Sequence, residues 1–117
     1  QNFPFKKEAS NTDIEIENGA DDNTYLSILR NGLTKLESVE SDIIFFQAGV
    51  DTLASDRYGK LLLTAEGLNA RNEMVFDFAR KRKNPLLILM GGGYSEPIDN
   101  TVAAFQDLFI AAAKYSF

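Results

Sequence analysis

The chain has 117 residues, of which 44% are hydrophobic and 25% charged, so it can form one small globular domain with a modest core. Its formal net charge of −5 disfavours nucleic acid as a partner, because binding phosphates requires clustered Lys and Arg. Cysteine is absent, which excludes disulfides, thiolate zinc sites and thiol nucleophiles and favours a cytoplasmic location. No apolar run reaches the roughly 18 residues of a membrane span.

The first elements are predicted from capping residues and periodicity. Residues 1–10 have no period and indicate a loop, whereas polar and apolar residues alternate over Thr12–Glu17 and predict a short edge strand. Asp21 and Asp22 are typical of the start of a helix. A stripe with helical spacing predicts the buried face of that helix. This stripe consists of Tyr25, Ile28, Leu29, Leu33, Leu36 and Val39.

A strand and a second helix are predicted next. Ile43–Phe46 is continuously apolar, as in a strand that is buried on both faces, and residues 49–59 form a long loop. Thr64 is the predicted N-cap of a helix that ends near Lys83. The basic run 80–83 would then suit the negative end of the helix dipole, which we favour over a binding patch. The predicted buried face comprises Leu68, Val75, Phe78 and Ala79.

The last predicted elements are a buried strand over Leu86–Met90 and a helix with Pro97 in its first turn. Helix crossovers between buried strands predict an α/β fold with a small parallel sheet. Such sheets are usually covered on both faces, so we expect part of the covering surface to lie outside this sequence. The predicted buried face of the last helix comprises Ile98, Val102, Phe105, Phe109 and Ala112.

Two polar side chains follow the two buried strands. In open α/β sheets, ligands bind beyond the carboxyl ends of the parallel strands, so Asp51 and Tyr94 are expected to share one crevice. Asp51 could bind a metal, orient a base or cap its own loop. Tyr94 is either a residue at the rim of the core or a hydrogen-bond donor. Asp56 and Arg57 indicate a solvated or locally paired couple.

The three glycines Gly91–Gly93 leave two interpretations open. Their backbone N–H groups could cradle a phosphate, or their small size could allow close packing of the backbone. The pattern is not G-x-G-x-x-G, and no Lys or Arg lies beside the loop. One candidate function is therefore a non-catalytic α/β module that binds a phosphate or nucleotide at this loop.

Together, two motifs give a more specific indication. Residues 48–67 read A-G-V-D-T-L-x-x-D-R-x-G-K-L-x-L-T-x-E-G, and residues 89–95 read L-M-G-G-G-Y-S. In this order they resemble the C-terminal part of the histone deacetylase family, which includes acetylpolyamine amidohydrolases and related bacterial deacetylases. Phe3-Pro4 and the segment G-A-D-D-N-T-Y-L over residues 19–26 extend the resemblance over nearly the whole chain. The two motifs, together with Arg71-x-Glu73 after the first of them, are most similar to the sequences of the class IV-like branch of this family.

The resemblance implies a partial three-layer α/β/α fold of the arginase/deacetylase type, with a small and mainly parallel sheet. It implies zinc-dependent hydrolysis of an acetyl-lysine or acetylpolyamine-type amide. By position, it implies that Asp51 is a zinc ligand and that Tyr94 is catalytic, donating a hydrogen bond to the substrate carbonyl. It further implies that Phe3 and Gly92 contact the substrate in the acetyl-lysine tunnel.

The sequence departs from the family in one respect. The family takes its other carboxylate ligand, its histidine ligand and its His-His base from upstream elements, and this sequence has no histidine. A catalytic zinc site needs about three protein ligands. We therefore expect residues 1–117 to be an incomplete C-terminal segment of a deacetylase domain, inactive and zinc-free by itself. Its exposed apolar surface could cause self-association, and no nucleic-acid or membrane partner is expected.

Overall fold

The computed structural model describes residues 5–115 and has the predicted alternation of helices and strands. The prediction of an edge strand over Thr12–Glu17 is wrong, because this segment is irregular. Ile14 lies against Gly32 of the first helix, and this segment pairs with neither described strand. The elements are α1 (Asp22–Leu36), β1 (Ile44–Gln47), α2 (Ala65–Arg82), β2 (Leu86–Leu89) and α3 (Asp99–Lys114).

The predicted caps of the first two helices are confirmed. The carboxylate of Asp21 accepts a hydrogen bond from the Thr24 N–H, and the Thr64 hydroxyl accepts one from the Gly67 N–H. At the other end of α2, Lys83 adopts the left-handed conformation, with φ of 57°, and closes the helix. Arg82 donates to the carbonyl oxygens of Leu36, Glu37 and Val39, so the basic run ends α2 and also joins it to the end of α1.

Within residues 5–115, the sheet consists of two parallel strands, with Ile44 opposite Leu86 and Gln47 opposite Leu89. The parallel arrangement is confirmed, but the prediction that the strands are buried on both faces is wrong. Phe45 remains 62% exposed, because α2 and α3 pack on the opposite face. A small α/β fold is therefore present, with one helical layer on the sheet in the part of the chain that the structure describes.

The buried face of α3 differs from the prediction. Thr101, Ala104 and Leu108 are buried, whereas Ile98 and Val102 remain 57% and 60% exposed. The inward face thus includes the small residues Thr101 and Ala104, which are less conspicuous in sequence than the exposed Ile98 and Val102. Phe109 is also exposed, while Phe105 and Ala112 are partly buried. Pro97 precedes the helix instead of occupying its first turn.

Two apolar clusters support the loops at the ends of the strands. One contains Val50, Leu53, Leu63 and Leu68, which fix the long loop after β1 onto α2. The other places Phe76 and Leu108 against the covered face of the sheet. In α2, burial of Leu68, Val75 and Ala79 is confirmed, whereas Phe78 is only half-buried. Among residues 5–115, no helix combines the length and apolar character that crossing a bilayer requires.

Candidate active site

The two segments that carry Asp51 and Tyr94 run side by side beyond the ends of their strands. The N–H of Ala48 donates to the carbonyl oxygen of Leu89 (2.8 Å), and the N–H of Val50 donates to that of Gly92 (2.8 Å). Ala48 and Val50 are completely buried, which anchors this segment in the core. The pairing of the strands thus continues into the loops, and brings the two loops together.

The carboxylate of Asp51 lies between two glycines. A Cβ atom on Gly92 would lie 2.8 Å from Asp51 Oδ2, and one on Gly49 would lie 3.1 Å from Oδ1. A Cβ on Gly91 would lie 2.7 Å from the Gly49 Cα. Close packing of the backbone is thus a structural requirement of this loop. A phosphate bound beside Gly92 would also meet the negative charge of Asp51, which argues against the phosphate cradle.

Tyr94 is exposed, while its backbone is held on both sides. Its N–H donates to Asp56 Oδ2 (2.6 Å), and its carbonyl oxygen accepts from the Arg57 N–H (3.1 Å). Its ring is 60% exposed and meets the ring of Tyr58 edge-on, with 5.6 Å between the ring centroids. Tyr94 is therefore a surface residue with a fixed backbone, whose phenol is accessible to a ligand.

Asp56 has a role that the sequence did not reveal. Its Oδ1 accepts hydrogen bonds from the N–H groups of Tyr58 (2.9 Å) and Gly59 (2.7 Å), in addition to the bond from Tyr94 to Oδ2. Burial alone would raise the pKa of Asp56, but the three N–H donors outweigh it and lower the pKa below 3.8. Arg57 pairs with Glu96 at 3.5 Å and its side chain is 59% exposed, so of the two alternatives Arg57 is solvated and does not pair with Asp56.

Arg71 is a second residue that sequence reasoning did not place at the site. It is only 3% exposed, and it donates to the carbonyl oxygens of Gly49 (2.6 Å) and Ala48 (3.3 Å) and to Asn72 Oδ1. Burial lowers the pKa of Arg71, against the raising influence of Tyr25 and Asp51. The guanidinium group therefore fixes the backbone from which Asp51 projects.

The described residues provide one potential zinc ligand at this site. Asp51 is exposed, and a carboxylate oxygen is a ligand that zinc accepts. Among residues 5–115, however, no three His, Cys, Asp or Glu side chains group together so as to hold a metal ion. These residues alone do not fit a catalytic zinc site, which needs about three protein ligands. Phe3, the fourth residue expected at the site, lies outside the described residues.

Comparison with known proteins identifies the family of the chain. The family model for the histone deacetylase domain matches residues 3–109. An uncharacterised protein of Picosynechococcus is 40% identical over 112 residues, which cover 95% of this chain and 37% of that protein. Histone deacetylase 2 of Arabidopsis thaliana is 31% identical over 91 residues, covering 77% of this chain and 24% of that protein.

A third relative is the probable histone deacetylase 1-B of Xenopus laevis, 32% identical over 81 residues. These cover 68% of this chain and 16% of that protein. The chain thus spans less than two fifths of the length of each of these relatives. The match to the domain model extends over most of the chain and includes both loops of the candidate site. The chain belongs to the histone deacetylase family.

Proposed function

We propose that this chain is the C-terminal portion of a zinc-dependent deacetylase that hydrolyses an acetyl-lysine or acetylpolyamine-type amide. The observation that carries the proposal is the docking of the Asp51 carboxylate against Gly92, two residues before the exposed Tyr94. A carboxylate and a phenol from neighbouring strand ends are thereby available at one edge of the sheet, where α/β proteins bind ligands. Membership of the histone deacetylase family supports the same chemistry.

In this proposal, the residues of the chain have distinct roles. Asp51 would contribute one ligand to zinc, and the bound metal would act as a Lewis acid toward the substrate carbonyl. Tyr94 donates a hydrogen bond from its hydroxyl to the carbonyl oxygen of the scissile amide, and so stabilises the negative charge that develops there. Gly92 and Phe3 border the channel that holds the acylated side chain. Hydrolysis by water then releases acetate and the free amine.

The proposal also includes inactivity of residues 1–117 alone. One carboxylate binds zinc too weakly for a catalytic site, and the sequence contains no histidine to supply a base. The remaining ligands and the base would come from protein outside these residues. The cytoplasmic location inferred from the lack of cysteine stays a prediction.

Self-association of this portion is a further part of the proposal. Phe45, Leu87 and Leu89 project from the uncovered face of the sheet and are 40–62% exposed. Apolar patches of this kind tend to be buried by association. We propose that separate copies of the chain associate through this face when no other protein covers it.

The test compares residues 1–117 with the longer protein that contains them. Both are assayed with an acetyl-lysine peptide and with an N-acetylated polyamine, and their zinc content is measured by metal analysis. We expect turnover and bound zinc only in the longer protein, and the preferred substrate identifies the substrate class. Turnover by residues 1–117 would refute the inactivity, and a zinc-free, inactive longer protein would refute the deacetylase. Thermal stabilisation of residues 1–117 by phosphate or nucleotide would support the phosphate-binding alternative.

A further inference from the structure

The loop that contains Asp56 supplies all of the described contacts that fix Tyr94. Asp56 accepts the Tyr94 N–H, Arg57 donates its N–H to the Tyr94 carbonyl, and the Tyr58 ring packs against the Tyr94 ring. These contacts come from three consecutive residues, the first of which, Asp56, lies 38 positions before Tyr94 in the sequence. The backbone of Tyr94 and the packing of its ring are therefore set by this short segment.

The same segment is folded back onto Asp51. Gly59 lies so close to Asp51 that a Cβ atom on it would be 2.0 Å from the Asp51 carbonyl oxygen. Its N–H is bound by Asp56 Oδ1, which closes the loop over residues 56–59. The carboxylate of Asp56 thus has one oxygen for its own loop and the other for Tyr94. It joins the backbone that carries Asp51 to the backbone that carries Tyr94.

We infer that Asp56 is a positioning residue that holds Tyr94 in register with Asp51. The inference rests on the proposed function, in which these two side chains act on one amide. A carboxylate suits this position because three N–H groups converge on it, and charge-assisted hydrogen bonds are stronger than neutral ones. An amide side chain has one acceptor oxygen, so it cannot serve both the loop and Tyr94 with the same geometry.

The loop that contains Asp56 and the loop that contains Tyr94 are also joined by contacts that do not involve Asp56. Glu96 donates its N–H to the Ser55 carbonyl oxygen at 2.9 Å, and the hydroxyls of Ser55 and Ser95 lie 3.1 Å apart. These contacts would keep the loops adjacent in the absence of the Asp56 carboxylate. Removal of that carboxylate is therefore expected to loosen Tyr94 selectively, while the loops stay together.

The first test uses NMR spectroscopy on the chain as it stands. In the wild type, we expect a scalar coupling across the hydrogen bond between the Tyr94 amide nitrogen and the Asp56 carboxyl carbon. In Asp56→Asn, we expect exchange of the Tyr94 amide proton to accelerate about tenfold, as expected for loss of one charge-assisted hydrogen bond. Amide protons in α2 should accelerate less than the Tyr94 amide proton, because they exchange through opening of the whole fold whereas the lost contact is local.

Asp77→Asn is the matched control, since it makes the same chemical change at a surface carboxylate that pairs with Arg80 within α2. It should leave Tyr94 unchanged. Absence of the coupling in the wild type would overturn the inference without any variant. Equal acceleration of exchange at Tyr94 and throughout α2 in Asp56→Asn would show a general structural role and would also overturn it.

A second test addresses the reaction in the longer protein. Asp56→Asn should lower kcat about tenfold, with KM and zinc content close to those of the wild type, because substrate and metal are bound by other groups. Asp77→Asn should leave all three unchanged. If the wild type is active and Asp56→Asn has the same kcat, the positioning role of Asp56 is refuted, while the proposed function of the chain is not. An inactive wild type with intact Tyr94–Asp56 coupling would instead refute the proposed function.

Discussion

The guanidinium group of Arg71 donates a hydrogen bond of 2.6 Å to the carbonyl oxygen of Gly49, two residues before Asp51. The same group bonds the Ala48 carbonyl oxygen and lies 5.4 Å from the centroid of the Phe46 ring. A charged side chain on α2 thus fixes the path of the chain where β1 becomes the loop. This contact links the buried side of α2 to the backbone just before Asp51, and so helps to fix the position of that carboxylate.

Arg71→Lys is expected to destabilise the chain by about 2 kcal/mol, because a lysine ammonium cannot reproduce the fork that bonds two carbonyl oxygens and Asn72. Unfolding in urea measures this loss. Arg80→Lys is the matched control, since Arg80 lies on the surface and pairs with Asp77, where exchange should cost less than about 0.5 kcal/mol. Equal effects of the two substitutions would contradict the role given to Arg71.

Gly91→Ala is expected to destabilise the chain by about 1–3 kcal/mol, since the added Cβ would lie 2.7 Å from the backbone Cα of Gly49, which cannot move without shifting the loop. Gly32→Ala provides a matched comparison, because its Cβ would lie 2.8 Å from its nearest neighbour, which is nearly as close. That neighbour is the flexible end of Ile14, and alanine favours the helix by about 0.5–1 kcal/mol. We expect Gly32→Ala to be neutral or stabilising in urea titrations of both variants, and the opposite order would be inconsistent with the close backbone packing of Gly49 and Gly91.

The stability of the chain should depend on the ionisation of Asp56. Its pKa is lower in the folded chain than the ordinary 3.8, so the folded state favours the ionised form. This contribution is fully present above the unfolded pKa and is lost as the pH falls through the folded pKa. Asp56→Asn should therefore be less stable than the wild type at pH 7, and the difference should shrink on acidification below pH 3.8.

Urea titrations of both proteins at a series of pH values measure that difference. The pH dependence of Asp77→Asn serves as the reference, because Asp77 is a partly exposed carboxylate that pairs with Arg80 within α2. If the difference in free energy of unfolding between wild type and Asp56→Asn stays constant as the pH is lowered until the proteins unfold, an ionised Asp56 carboxylate does not stabilise the fold by binding the three N–H groups.

Leu87→Lys is expected to reduce self-association of residues 1–117, because it places a charge on the uncovered face of the sheet. Leu87 is 44% exposed, so folding should change little. Sedimentation velocity over a range of concentrations measures the effect. Val102→Lys makes the same change on the exposed side of α3, at a residue that is 60% exposed, and should leave association unaltered. A clean wild-type monomer at high concentration would contradict the proposal outright.

Much of the fold could be predicted from local patterns. Asp21 and Thr64 cap helices because each side chain bonds an N–H three residues further on, which the sequence displays directly. The parallel pairing follows from the helical crossover between two apolar strands. The covered face of α3 could not be predicted, since Thr101 and Ala104 are less hydrophobic than the exposed Val102.

The candidate site was predictable only in part. Asp51 and Tyr94 stand at strand ends, which the chain order reveals. Asp56 accepts a hydrogen bond from the backbone N–H of Tyr94, which is 38 positions away. Every residue except proline has such an N–H, so the residue type does not reveal the partner. Arg71 lies in a polar stretch of α2, residues 69–73, and charged residues are usually exposed. Its burial depends on the carbonyl oxygens that end β1, which no residue type identifies.

The most direct test of the proposed function is the turnover of Tyr94→Phe in the longer protein that contains these residues. The substitution removes one hydroxyl from an exposed ring and leaves the backbone contacts with Asp56 and Arg57 in place. We expect kcat on the preferred acetylated substrate to fall by about 10²–10³-fold, the usual effect of losing one donor to the developing oxyanion, with zinc content unchanged. Turnover equal to that of the wild type would contradict the role of Tyr94 opposite Asp51.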